Sequence, residues 1–216
     1  PPLDSDFKPY EHGTLWGSGN DSHAWFHVNI KIPEEMKQAP VELCIASENR
    51  GNWDASNPQY IVYVNGVLRQ GADINHKTIL LGDEDEYDVY LYGYTGPKIP
   101  STKLFLSLRN KREEVDGLYY DIKVPFETID FLDENSRDYA TTLTLLDKAV
   151  SILDLYNVGD EAFFNSVIRA REFMKTEFYE KCCGNSSEVT VCIGHTHIDC
   201  AWKWTLKQTR EKVQRS

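Results

Sequence analysis

Between Thr14 and Val124 the chain alternates short apolar or β-branched runs with turn-forming residues: "AWFHVNIKI", "VELCIAS", "QYIVYVNGVLRQ", "YDVYLYGY", "KLFLSLRN" and "GLYYDIKV". Runs of this length, spaced by turns, predict the strands of an all-β sandwich of jelly-roll-like type. The sharpest local signal is Asn65-Gly66 inside "IVYVNGVLRQ". Two residues that tolerate positive φ supply the tight turn that twisted hairpin strands demand. Gly51, Gly71, Gly82, Gly93 and Pro97 punctuate the rest.

From Ser136 to Lys181 the apolar period lengthens to three or four residues. Leu143, Leu146, Val150, Leu153 and Tyr156 form one stripe, and Phe163, Phe164, Val167, Ala170, Arg171 and Met174 form another. This predicts two amphipathic helices joined near Val158-Gly159. "EKCCGNSSE" (Glu180 to Glu188) ends the second helix and marks a boundary. "EVTVCIG" then predicts a buried strand, and the residues after Asp199 a helix with Trp202, Leu206, Thr209 and Val213 on one face. The expected organisation is therefore a mainly β fold: a β-sandwich over residues 1–130, a helical connector over 131–185, and over 186–216 the first β-α unit of an α/β domain.

Composition narrows the function. The chain has 216 residues, with 41% hydrophobic and 12% aromatic content, and no apolar run approaches the roughly 18 residues of a membrane span. Its 23 Lys and Arg against 34 Asp and Glu give a net charge of −11. Such a surface repels polyphosphates, so neither a nucleic acid nor a membrane is an expected partner. Five cysteines with no C-x-x-C spacing suggest reduced thiols in a cytoplasm. The opening "PPLDSDF" lacks Met and the closing "EKVQRS" sits in a helical pattern, which predicts a piece of something longer.

The densest chemistry lies in "GHTHIDCAW", with His195, His197 and Asp199 at alternate positions just past the expected strand. Alternate side chains of an extended segment point to one side, so two imidazoles and a carboxylate would cluster at a strand's carboxyl end. That edge is where α/β folds place ligands, and His with Asp suits a borderline cation such as zinc. Asp199 is also a fair helix N-cap, with Trp202 one turn beyond. Hydrogen-bonded turn histidines and core tryptophans are the bland alternative. Burying this many polar groups without a partner would be costly, which favours the metal.

Three hydrolase classes use related spellings. Amidohydrolase-type barrels would make both His195 and His197 ligands, whereas metallo-β-lactamase folds need a histidine where this chain has Cys200. The closer match is the third: "GHTHIDCAWKWTLKQTREKVQRS" resembles the start of the catalytic domain of α-mannosidases of glycoside hydrolase family 38. "DSHAWFHVNIKIP" and "YVNGVLRQGADINH" resemble the N-terminal domain of its bacterial members. The resemblance implies a zinc-dependent retaining α-mannosidase in which His197 and Asp199 are zinc ligands and Trp202 stacks on bound mannose. His195 would then be a neighbour of the ligands. The remaining ligands, the nucleophile and the acid/base carboxylate are expected further along a complete enzyme, so this stretch alone is expected to be inactive.

The resemblance also implies a mannose-containing oligosaccharide as substrate and the rest of a catalytic domain as partner, with a homo-oligomer left open. A non-catalytic carbohydrate-binding or interaction module is the alternative from a different class. "GDEDEYD" (Gly82 to Asp88) is expected to be a solvated turn with no site. In "WGSGNDSHAWF" (Trp16 to Phe26), Trp25 and Phe26 are expected in core or interdomain packing, while His23, Trp53 and His76 fall in loop-like stretches.

Overall fold

Strand β2 (His23–Lys31) shows how the sequence builds the sandwich. Its even-numbered residues Ala24, Phe26, Val28 and Ile30 pack on the inner core, while the odd-numbered ones face away. A computed structural model gives this arrangement and describes residues 7–18, 21–47, 58–96, 101–184, 189–202 and 204–215. Among them the remaining strands are β1 (Leu15–Trp16), β3 (Val41–Ser47), β4 (Gln59–Val64), β5 (Val67–Ala72), β6 (Thr78–Leu80), β7 (Glu86–Tyr94) and β8 (Thr102–Asn110). They form two four-stranded antiparallel sheets, ordered β1-β8-β3-β6 and β2-β7-β4-β5.

The inner faces share one core that includes Trp16, Leu43, Tyr60, Val62, Val89, Leu91 and Leu104. The Asn65-Gly66 turn forms as expected, with φ of 50° and 76° at the two residues and Val64 paired to Val67 across it. The Asn65 side chain also fastens the neighbouring strand, its Oδ1 accepting from the Asp88 amide at 2.8 Å and its Nδ2 donating to the Glu84 carboxylate at 2.7 Å.

The chain divides into two units, Pro1–Lys111 with Gly194–Ser216, and Arg112–Ile193. The second is helical: α1 (Glu113–Thr128), α2 (Arg137–Ser151) and α3 (Glu161–Phe173), the last continuing in wider π-type turns over Met174–Cys183. Its core joins Leu118, Ile129, Leu146, Ala149, Val167, Ala170, Met174 and Phe178. Ser136 caps α2 by accepting from the Tyr139 amide at 3.1 Å. Helix α4 (Leu206–Arg215) belongs to the first unit and packs on β4 and β5. Among the described residues no helix is long and apolar enough to cross a membrane.

Four expectations are corrected. "GLYYDIKV" is not a strand but part of α1, whose inward residues Val115, Leu118, Ile122 and Pro125, with Ile129 just past its end, recur at steps of three and four. In α2 the buried stripe runs through Thr142, Leu146 and Ala149; Leu143 and Val150 are exposed, and Tyr156 lies beyond the helix, fully exposed. Val189–Gly194 form no strand: among the described residues none pairs with their backbone, and Val189, Val191 and Ile193 are exposed. The last helix starts at Leu206 and not after Asp199, with only Thr209 of the expected stripe buried. Trp53, Gly51 and Pro97 lie outside the described residues.

Candidate functional site: the His197–Trp202 segment

Residues 195–202 form an irregular segment, bent at Cys200–Trp202, before α4. His197 Nε2 lies 2.9 Å from Asp199 Oδ1, and both side chains are open to solvent. The alternation expected from the sequence thus brings these two groups together. His195 is exposed and takes no part in the pair. Among the described residues no group of three or more His, Cys, Asp and Glu side chains is gathered as a metal site.

Trp202 is 64% exposed and meets Trp204 edge-on, with ring centroids 5.7 Å apart at 88°. Trp202 does not lie one helical turn beyond Asp199, because the chain bends between them, with Ala201 at a φ of 56°. Thr209 was expected only as one member of an apolar stripe. Its buried hydroxyl instead receives the Ala201 amide and the Trp204 indole N–H, each at 3.1 Å. The ammonium of Lys212, on α4, sits 4.4 Å from the centre of the Trp204 ring just before the helix, a cation–π contact.

Helix α4 is anchored to the sheet by Gln208, whose Nε2 donates to the Tyr94 hydroxyl at 3.2 Å. Tyr94 belongs to an aromatic row on the outward face of β2, β7 and β4, where the register pairs His23 with Tyr94, Trp25 with Tyr92 and His27 with Tyr90. Trp25 packs against Tyr92 and Tyr63 at 5.0 and 5.8 Å, and His27 stacks on Tyr90 at 4.2 Å while bonding Asp88. Phe26 points the other way, into the core against Trp16. The neighbouring residues Trp25 and Phe26 therefore serve opposite faces.

Among the described residues the other stretches carry no assembled chemistry. His23 opens β2 and bonds the Tyr92 hydroxyl at 2.8 Å, and exposed His76 bonds Asp73 within a turn. The acidic turn at Gly82–Asp85 lines a cleft of about 300 Å³ with Ile32, Lys37 and Pro40, and Lys37 bridges Asp85 and Glu34 there.

Comparison with known proteins bears directly on the segment. Residues 188–216 match the family described as Glycosyl hydrolases family 38 N-terminal domain. The chain is 24% identical to Alpha-mannosidase G of Dictyostelium discoideum, over 98% of this chain and 20% of that protein. It is also 24% identical to Alpha-mannosidase 2C1 of Homo sapiens, over 98% of this chain and 21% of the relative. Alpha-mannosidase of Saccharomyces cerevisiae (strain ATCC 204508 / S288c) aligns at 24% identity with 90% of this chain and 20% of its own length. The chain spans about a fifth of the length of these relatives.

Proposed function

We propose that the chain belongs with the α-mannosidases of glycoside hydrolase family 38, as its match over residues 188–216 and its 24% identity to α-mannosidases support, and that it forms part of a zinc-dependent, retaining α-mannosidase. The substrate class is terminal α-mannosides of glycans or oligosaccharides. The observation that carries this reading is the close His197–Asp199 pair inside the family-matched stretch, with the exposed indole of Trp202 three residues on.

An imidazole nitrogen and a carboxylate oxygen are donors that zinc accepts at about 2.0–2.2 Å, and tetrahedral ligands at those lengths lie about 3.4 Å apart. The 2.9 Å contact is a direct hydrogen bond that would open by about 0.5 Å to reach that spacing, and the two donor types are ones zinc accepts, which supports the reading. Bound there, zinc would offer open positions to a cis pair of hydroxyls such as the axial 2-hydroxyl and the 3-hydroxyl of mannose. Trp202 presents a flat apolar surface suited to the C–H face of the sugar. His195, two residues before His197, would adjoin the ligands and influence their orientation.

Two ligands are fewer than the three protein groups of a typical catalytic zinc site, and retaining hydrolysis needs two carboxylates flanking the scissile bond. The 216-residue chain by itself is accordingly expected to be inactive and to bind zinc weakly at most. Tight, stoichiometric zinc binding in calorimetric titration of this chain contradicts that part. A cytoplasmic setting belongs to the same reading and is supported by five free cysteines.

The test uses the complete product of the gene on an aryl α-mannoside. Turnover is expected, with loss on chelation, recovery on adding zinc, and loss in His197→Ala and Asp199→Ala. Full turnover by metal-stripped protein sinks the zinc assignment; no turnover with zinc restored sinks the mannosidase. The outward aromatic row of β2, β7 and β4 favours one alternative, a non-catalytic glycan-binding module. Glycan binding without any turnover is its distinguishing result.

A further inference from the structure

Thr209 sits one turn into α4 and is 8% exposed, an unusual place for a polar side chain on a surface helix. Its hydroxyl is fully employed. Oγ1 accepts from the Ala201 amide at 3.1 Å and from the Trp204 indole at 3.1 Å, and lies 3.3 Å from the Thr205 carbonyl, to which it donates. A hydroxyl has one proton and two lone pairs, so this set uses its whole capacity.

Ala201 is the residue between the Asp199-Cys200 step and Trp202, and its φ of 56° lies in the left-handed region that a Cβ disfavours. The amide caught by Thr209 is the one belonging to that residue. The same oxygen fixes the Trp204 ring, whose edge contact with Trp202 is 5.7 Å between centroids. One buried oxygen thus holds the bend after Asp199 and the ring beside Trp202 together.

We propose that Thr209 is the positioning residue of the His197–Trp202 segment, setting Asp199 and Trp202 relative to one another. The consequence for mannoside binding rests on the mannosidase reading; the local tie does not. Thr209→Val keeps the shape and deletes the oxygen, whereas Thr209→Ser keeps the oxygen.

The first experiment is residue-resolved hydrogen exchange on the isotopically labelled 216-residue chain. Thr209→Val is expected to speed exchange of the Ala201 amide and the Trp204 indole proton by about tenfold, the scale of one lost hydrogen bond. Val62 and Leu91 in the sandwich should keep wild-type rates, and Thr209→Ser should stay close to wild type at all four positions. Unchanged rates in Thr209→Val, or faster exchange throughout the sandwich, overturn the proposal.

The second experiment uses the complete gene product and an aryl α-mannoside. Thr209→Val is expected to raise KM and to weaken zinc binding, with Thr209→Ser restoring both. Wild-type KM and zinc affinity in the valine variant overturn the positioning role. A wild-type enzyme without turnover removes the mannosidase reading instead, and the exchange rates then decide the local tie by themselves.

Discussion

Gln208 of α4 donates through Nε2 to the Tyr94 hydroxyl at 3.2 Å, joining the last helix to the end of β7. Both residues do double duty. Tyr94 passes its own proton to Asp21 Oδ1 at 2.6 Å, and Gln208 Oε1 accepts from the Thr205 amide at 2.8 Å. The Thr205 N–H is one of those that a helix start leaves without an intrahelical partner. A single glutamine therefore caps α4 and fastens it to the sheet.

Tyr94→Phe removes the acceptor for Gln208 and the donor to Asp21 while keeping the ring. We expect α4 amides to exchange faster, by an amount equivalent to about 1 kcal/mol for each hydrogen bond lost. Amides of β3 and β8, in the opposite sheet, should be unaffected. Hydrogen exchange measured on both sets checks this, and equal protection of α4 in the two proteins refutes the anchor.

Tyr179 repairs a gap that Pro125 opens in α1. A proline has no N–H to give the carbonyl four residues earlier, that of Asp121, and the Tyr179 hydroxyl donates to this carbonyl at 3.3 Å. Tyr179→Phe should destabilise the helical unit by about 1 kcal/mol, read from a chemical-denaturation midpoint. Burial, with the nearby Asp121 carboxylate, pushes the Tyr179 phenol above its ordinary value. Its proton is held more tightly in the folded state, so its contribution to stability persists below about pH 10 and declines at higher pH. The phenylalanine variant should lose that alkaline dependence.

Gly93, on the inner face of β7, leaves room for three rings. A Cβ there would lie 3.0 Å from Trp16, 3.1 Å from Tyr60 and 3.2 Å from Phe26. Those rings are packed into the core and have little space to yield. Gly93→Ala should cost about 1–3 kcal/mol, seen as a lowered thermal midpoint of the sandwich. An unchanged midpoint would show that the rings can repack.

Asp85 and Lys37 give the acidic turn a pH-sensitive tie. The hydrogen bond from the Lys37 ammonium holds the Asp85 carboxyl below the usual carboxylate range. Folded protein therefore takes up this proton less readily than unfolded chain. The tie is complete above about pH 4, the unfolded value, and is lost as pH falls through the lower folded value. A carboxyl-detected NMR titration should place the Asp85 midpoint below that of a model peptide, and Lys37→Gln should raise it.

The strands β2, β3, β4, β5, β7 and β8 were legible because each lies in a short apolar or β-branched run bounded by turn residues, and the Asn65-Gly66 turn because both residues tolerate positive φ. Strands β1 and β6 were not, being two and three residues long and held by partners far along the chain. "GLYYDIKV" reads as a strand only when cut out; its helical period emerges over the full span from Val115 to Ile129. The pairing of His197 with Asp199 was likewise readable, since two-residue spacing in extended chain is local geometry.

What the sequence determined by itself was the local periodicity, the turn chemistry and the spacing of candidate ligands, because these depend on residues within a few positions of one another. Tertiary structure decided which neighbour serves which face, as with Trp25 outward and Phe26 inward, and which polar residue becomes a hub. Thr209 and Tyr94 acquire their roles from partners that the fold brings beside them: an indole and a left-handed amide for one, a glutamine 114 residues away for the other. Such contacts follow from how α4 and the strands come together in space, which no short window of sequence contains.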